Sequence, residues 1–405
     1  MAAPPIPTAR LGQRGCARLR AGQVWIYRQD VLDGPTDDAR TGGPALVQVA
    51  DERGRRLAIA TWAAQSPVAL RILDRELRAN ASEILPDLLS LIEARIASAL
   101  AFRRGLNLDR DAFRAVHAES DGLPGLIVDV YAEAAVLQTT SVAMDACKRR
   151  IAEIAARLLG MRTVVVRDDG SARDFEGLPR QTESLLGSGE TAVEYRLGPN
   201  RLVADLRTDS KTGGFLDQAD NHALVASLAP QGARCLDAFT YHGGFALALA
   251  RKGGKVLATD EDGQAVERAR SNATLNALEN LEVRQANAFD LLRSLEASGE
   301  RFDVVVLDPP AFAKRKSGDL AAERAYREII LRGLRLAVPG GLVVACSCSG
   351  RVSRARFDGI VAEAAADSGR QAQVLARMGA GRDHPELAGL PETGHLKCWI
   401  LRAIA

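Results

Sequence analysis

From about residue 200 onward the chain alternates short apolar runs with segments of helical period, and this alternation limits its fold more than any other feature. Residues 234–237, 256–259, 281–284, 302–307 and 342–346 read as strands, while 245–252, 263–277, 289–297 and 321–337 place apolar residues three and four apart. Strands that are apolar throughout must be covered on both faces, and helical crossovers between consecutive strands force parallel pairing. The sequence therefore predicts an open, Rossmann-like parallel α/β sheet, continued by a helix over 355–367 and two strands near 371–378 and 396–402.

Upstream the pattern changes. Short strands at 24–27, 45–49, 57–60 and 68–73, broken by Asp33-Gly34-Pro35, Gly42-Gly43-Pro44 and Glu52-Arg53-Gly54, predict a small β-barrel. A helix follows over 81–104, then strands at 115–117, 126–129 and 134–139, a helix over 148–159 and a strand at 163–166. These readings divide the chain into a barrel at 1–78, a linker helix at 79–104, a central α+β domain at 105–198 and the parallel α/β domain at 199–405. Of the 405 residues 47% are hydrophobic, enough to give each part a core.

Lys and Arg number 53 against 51 Asp and Glu, so bulk charge argues for no polyanionic partner. Locally the balance differs, since the first 78 residues hold twelve arginines and eight acids. No run approaches ~18 uncharged apolar residues, and the first residues lack the apolar core of a signal peptide. The expectation is a cytoplasmic protein that does not span a membrane, and six dispersed cysteines suit a reducing compartment. His222, His384 and His395 show no ligand spacing, so no metal is expected.

In an open α/β sheet the ligand lies beyond the carboxyl ends of the strands. After the first strand the sequence reads Asp237-Ala238-Phe239-Thr240-Tyr241-His242-Gly243-Gly244. This is no G-x-G-x-x-G, and Phe239 and Tyr241 fill slots where a dinucleotide fingerprint needs small residues. NAD is disfavoured. Asp260, sixteen residues past Gly244 at the end of the second strand, is placed to accept both hydroxyls of a ribose. Two strand-end acids around a glycine pair suit a nucleoside ligand without a pyrophosphate, which describes S-adenosylmethionine. Gly243 and Gly244 either open the backbone to that ligand or permit close strand–helix packing, and Asn287 either meets adenine or caps a helix.

The fourth strand runs into Asp308-Pro309-Pro310-Ala311-Phe312, whose prolines hold Asp308 rigidly at the sheet edge. The fifth runs into Cys346-Ser347-Cys348-Ser349-Gly350, with Cys346 expected in the sheet and Cys348 past its end, facing Asp308. A thiolate and an acid together select a reaction. Carbon 5 of cytosine is a poor nucleophile until a thiolate adds to C6 with an acid supporting N3; methyl transfer, loss of the C5 proton and elimination of the cysteine then follow. Without the cysteine the same fold would methylate another atom, such as a guanine nitrogen, and with a degenerate cofactor loop it would only bind RNA.

The segments 211–221 (KTGGFLDQADN), 239–245 (FTYHGGF), 308–312, 347–350 and Asp383-His384-Pro385 resemble, in that order, the RlmI/RlmO-type 23S rRNA cytosine-C5 methyltransferases. Residues 119–125 look like the central signature of that family, and the arginine-rich barrel with Val24-Trp25-Ile26-Tyr27 looks like its N-terminal PUA domain. The resemblance implies a class I methyltransferase fold, Cys348 as nucleophile and Asp308 as its acidic partner. It implies S-adenosylmethionine held at Asp237, Phe239, Tyr241, Gly243, Gly244, Asp260, Asn287 and Asp308, with Phe215 and Asp217 beside them. The partner it implies is 23S rRNA, met by Arg18, Arg20 and Arg28 of the barrel and by Lys314, Arg315 and Lys316, and it leaves monomer or homodimer open. His117, Glu119 and Asp121 are expected to organise a turn.

Overall fold

Seven strands build the sheet that the alternating pattern predicts. The computed structural model describes residues 6–75, 87–187, 191–312 and 319–404. Its strands are β1 (Arg234–Asp237), β2 (Lys255–Asp260), β3 (Leu281–Gln285), β4 (Phe302–Leu307), β5 (Ala337–Ser347), β6 (Gln371–Met378) and β7 (Lys397–Ile404). Their order is β3-β2-β1-β4-β5-β7-β6. The first five are parallel, while β7 runs antiparallel to both β5 and β6. Helices α1 (Gly244–Arg251), α2 (Gly263–Leu275), α3 (Ala288–Ala297) and α4 (Asp319–Leu336) make the crossovers, and α5 (Arg354–Ser368) leads to β6.

The apolar strands are sealed on both sides as their composition requires. Val304, Val305 and Val306 of β4 are fully buried, and Phe302, Val305, Tyr326, Ile330, Val343, Phe357 and Trp399 belong to one core cluster. Each large side chain buried there contributes about 1.5–3 kcal/mol. Strand order reverses between β1 and β4, so the turns after these two strands splay apart and leave a crevice at their carboxyl ends. These elements lie in a unit made of Glu194–Val203, Gly214–His384 and Gly394–Ala405.

The other unit comprises Met1–Val193, Ala204–Gly213 and Pro385–Thr393. It holds a six-stranded sheet of Trp25–Tyr27, Val68–Asp74, Arg56–Trp62, Leu46–Ala50, Thr8–Leu11 and Val31–Asp33, in that order. It also holds a five-stranded sheet, Gln181–Leu186, Thr163–Asp168, Ala134–Thr139, Leu126–Tyr131 and Ala112–His117, covered by helices Leu88–Gly105 and Lys148–Leu159. Residues 81–86 of the expected linker helix lie outside the described residues. Thr8–Leu11, the helix Gln13–Arg20 and the strands Val31–Asp33 and Gln181–Leu186 are absent from the sequence reading. The helix buries only Gly15 and Leu19, and Gln181–Leu186 buries no residue fully, so neither carries a periodic apolar signal.

The segment 119–125 is a turn, as its composition suggests. The His117 N–H donates to Asp121 Oδ2, Arg103 pairs with Asp121 Oδ1, and Gly122 supplies a positive φ of 69°. Trp25 Nε1 donates to Glu119 Oε1 at 3.0 Å, which fastens the six-stranded sheet to this turn. Among the described residues no helix is long and apolar enough to cross a membrane.

Candidate active site

Three carboxylates meet at the carboxyl edge of the sheet, because β1 lies between β2 and β4 and each ends in an aspartate or is followed by one. Asp237 is fully buried; its Oδ2 accepts from Thr240 Oγ1 at 2.9 Å, whereas its Oδ1 has no hydrogen-bond partner. Burial pushes its pKa up to about 7, the Thr240 hydroxyl opposes this, and the charges of Asp308 and Asp260 add to it. Asp260 is half-buried. Its Oδ2 accepts from the Tyr241 N–H at 2.9 Å and its Oδ1 from the Asp262 N–H at 3.0 Å, leaving each oxygen a further lone pair. An orphaned buried carboxylate oxygen among like charges is a place for a cation, and the sulfonium and ammonium of S-adenosylmethionine fit it.

The loop after β1 is held in strained backbone. Tyr241 takes φ +48° and Gly243 φ +93°, and the Gly243 N–H donates to the Thr240 carbonyl at 2.8 Å. Beside Gly244 the space is already filled, since a Cβ there would lie 2.3 Å from Cε1 of His222. Of the two readings of the glycine pair, close packing accounts for Gly244 and turn geometry for Gly243. Tyr241 stacks on His242 at 3.7 Å and meets Phe215 edge-on at 4.9 Å, while Phe239 is half-buried against the core. Burial pushes the His242 imidazole down to about 3, so it stays neutral.

Residues 215–221 and 379–384, far apart in the chain, form one wall. The Gly381 N–H donates to the Asp217 carbonyl at 2.8 Å, and the Arg382 N–H to Asp220 Oδ2 at 2.8 Å. His384 Nδ1 lies 3.0 Å from Asp383 Oδ1, both side chains buried. Asp217 is buried, with Oδ1 lacking a hydrogen-bond partner and Oδ2 3.7 Å from His395 Nε2. Gln218 Nε2 donates to Asp308 Oδ2 at 2.9 Å.

The two cysteines after β4 part ways. Cys346, 1% exposed, pairs across the sheet with Cys398, and burial together with that neighbour pushes its thiol far above the usual range. Cys348 lies one residue past the end of β5 and is half-buried. Opposite Ser347 stands Lys397, whose fully buried ammonium donates to the Ser349 carbonyl at 2.6 Å and to the His395 carbonyl at 2.7 Å. Burial lowers that ammonium to about 8, and the charge of Cys348 nearby opposes the fall. Tyr326 of α4, its phenol pushed up to about 12 by burial, also feels Cys348 and Asp308. The sequence reading missed Lys397, Tyr326 and the Gln218 contact, because nothing in local pattern distinguishes a lysine at a strand start or a tyrosine on a helix.

Other expected site residues have different partners. Asn287 caps α3, its Oδ1 accepting from the Phe289 and Asp290 N–H groups and its Nδ2 donating to Glu261 Oε2 at 3.2 Å. Of its two readings the cap is the one made. Arg18 pairs with the buried Asp30 at 3.1 Å and lies over the Tyr27 ring, and Arg28 bonds the Ala63 carbonyl and stacks on Trp62 at 4.6 Å. Arg20 is exposed and borders a cavity of about 770 Å³ with Arg53, Arg55, Arg75, Asp51 and Glu52. Lys314, Arg315 and Lys316 lie outside the described residues. Among the described residues no group of three or more His, Cys, Asp or Glu side chains could hold a metal ion.

A sheet of this order with acids at three adjoining strand ends offers a nucleoside site at its carboxyl edge, and the family it matches makes it a class I methyltransferase. The model of the S-adenosylmethionine-dependent methyltransferase family matches residues 180–401, and a PUA-like domain matches residues 10–75. The chain belongs to that family, and its cofactor is S-adenosylmethionine. Its relatives include "Ribosomal RNA large subunit methyltransferase I" of Aeromonas salmonicida, 34% identical over 94% of this chain and 95% of that protein, and the protein of the same name from Tolumonas auensis, also 34% identical over 94% and 95%. Among solved structures, the methyltransferase SMU.776 complexed with SAH aligns with a TM-score of 0.81 at 16% identity, covering 98% of this chain and 99% of its own. A methyltransferase from Streptococcus mutans aligns at 0.79 and 15% identity with the same coverage. At such identities these two speak for the fold alone.

Proposed function

We propose that this chain methylates carbon 5 of a cytosine in large-subunit ribosomal RNA. The observation that carries the reading is Cys348, a half-buried thiol just past β5 in the loop that the buried Lys397 ammonium holds through the Ser349 carbonyl. A neighbouring cation lowers the cost of forming a thiolate, which is the reactive form. Cys346, buried against Cys398, has no such support. The names of the relatives supply the RNA class.

Asp237, Asp260 and Asp308 would hold the cofactor, with Phe215, Asp217, Phe239, Tyr241, Gly243 and Gly244 shaping its walls and Asn287 only capping the adjoining helix. When bound, S-adenosylmethionine supplies a methyl group made electrophilic by its sulfonium. The Cys348 thiolate adds to C6 of the base, forming the S–C6 bond, while Asp308 donates a proton or hydrogen bond at N3. The electron density so placed on C5 would let C5 take the methyl carbon as the methyl–sulfur bond breaks, the bonding pair staying on sulfur as a neutral thioether. A base then takes the C5 proton, the S–C6 bond breaks, N3 returns to Asp308 any proton it took, and the thiolate and the 5–6 double bond are restored. RNA phosphates would meet Arg20, Arg53 and Arg55 on the N-terminal barrel, taken as residues 1–78, and Lys314, Arg315 and Lys316 after the Asp308 turn.

RNA carrying 5-fluorocytosine tests this reading, because fluorine cannot leave as a proton. The wild-type protein should accumulate a covalent RNA adduct that survives denaturing gels, and Cys348→Ala should form none while binding the cofactor unchanged. An adduct through Cys346, or full methylation by Cys348→Ala, would reject Cys348 as nucleophile and favour methylation of a guanine nitrogen.

A further inference from the structure

Asp308 is reached by a chain of amides whose direction is set by a backbone carbonyl. Asn221 Nδ2 lies 3.0 Å from the Gly379 carbonyl oxygen and 2.6 Å from Gln218 Oε1, and Gln218 Nε2 lies 2.9 Å from Asp308 Oδ2. Gln218 and Asn221 are each 1% exposed. A carbonyl only accepts, so the Asn221 atom facing Gly379 must be its NH2. That NH2 also donates to Gln218, so the Gln218 atom facing it must be oxygen and the one facing Asp308 must be NH2. Turning either amide over would set oxygen against oxygen in a buried site. The orientation has a cost, since Asn221 Oδ1 is left buried with no hydrogen-bond partner.

We propose that Gln218 and Asn221 are positioning residues that fix the Asp308 carboxyl and direct any proton it carries to Oδ1. An amide N–H prefers the carbonyl oxygen of a neutral carboxyl over its hydroxyl oxygen, so Oδ2 remains the acceptor and Oδ1 the donor. An acid that must protonate or hydrogen-bond a base nitrogen then has its donor on a single, defined oxygen. The inference rests on the reading of Asp308 as the acidic partner. Other titratable groups that face Asp308 among the described residues are Asp237 from β1, Tyr326 from α4 and Cys346 from β5. The Cys346 thiol also meets the Gln218 amide.

The test is methylation by the full chain against pH, read as the single-turnover rate and as the steady-state KM for RNA, in wild type, Asn221→Asp and Gln218→Met. Once ionised, the carboxyl introduced by Asn221→Asp can donate to neither Gly379 nor Gln218, so Gln218 then turns its NH2 toward it and its oxygen toward Asp308. Asp308 then keeps its proton to higher pH, and one limb of the profile should move up by about one unit. Gln218→Met removes the donor without adding an acceptor and should move the same limb in the same direction, with the rate down on the order of tenfold and KM for RNA little changed. Thermal melts and cofactor binding establish that each variant is folded, and if Asn221→Asp does not fold, Gln218→Met decides. Profiles superimposable on wild type, or a change confined to KM, would overturn the proposal. Mass spectrometry of the methylated nucleoside separates the two claims: a product other than 5-methylcytosine ends the cytosine reading, while the pH shift still judges the amide chain for whatever atom is methylated.

Discussion

Asp237 is an acid that its surroundings keep from behaving as one. A carboxyl with a reference pKa of ~3.9 in the unfolded chain is held at about 7 in the fold, chiefly by burial. Between about pH 4 and about pH 7 the folded form binds more protons than the unfolded form, so this group's contribution to stability is greatest below about pH 4 and is lost as pH rises to 7. Asp237→Asn, neutral at every pH, should therefore raise the melting temperature of the ligand-free protein at pH 8 by a few degrees more than at pH 5. A cationic ligand favours the ionised carboxyl, so S-adenosylmethionine should bind wild type more tightly as pH rises toward 7, and bind the variant weakly with little pH dependence. Equal melting shifts at both pH values would contradict the assignment. Cys346 and Cys348 teach the same lesson with thiols: two residues apart, one is sealed against Cys398 and the other is half-buried near a lysine ammonium.

At the scale of elements, a strand end is only as useful as the turn that follows it. The β1 turn depends on α1 starting close to the helix Ala219–Leu228, where the His222 ring sits over Gly244 and packs edge-on against Phe245 at 4.4 Å. Gly244→Ala would put a methyl group into that ring, and overpacking of this kind costs about 1–3 kcal/mol. The loss should be visible as a lower denaturation midpoint, and it should be largely recovered in the double variant with His222→Ala. Independent, additive effects of the two substitutions would show that the ring and the glycine are not coupled. At β5 the controlling element is its antiparallel neighbour. Because β7 enters beside the end of β5, Lys397 falls opposite Ser347 and reaches the Ser349 carbonyl, pinning the loop that carries Cys348.

Over the whole molecule, the barrel arginines sort by what already holds them. Arg18 and Arg28 are engaged internally, whereas Arg20 and Arg53 are exposed on the border of the 770 Å³ cavity. Replacing both Arg20 and Arg53 by alanine should lower the salt dependence of RNA binding by a log–log slope of roughly 1.5, with cofactor affinity unchanged. An identical slope would remove this surface from the RNA contact. The sheet itself was legible in the chain. Runs such as Val304-Val305-Val306-Leu307 admit few alternatives to a strand buried on both faces, and helical spacing between them forces the parallel order. Asp237, Asp260 and Asp308 were legible as well, because a parallel sheet brings consecutive strand ends to one edge whatever the side chains do later. What escaped were contacts with no local period. Gln218 meets Asp308 90 positions away, and Asn221 meets Gly379 158 positions away, through hydrogen bonds that depend on two loops arriving at the same place. The roles of Gly244 and Asn287 stayed open for the same cause, since a glycine before a helix and an asparagine after a strand read alike whether ligand or protein fills the space beside them. Periodicity and strand-end chemistry, which are properties of neighbouring residues, determined the sheet, the cofactor class and the candidate nucleophile; only the packed chain decided which polar groups are orphaned, which are paired and which way each amide points, because those outcomes belong to atoms distant in sequence.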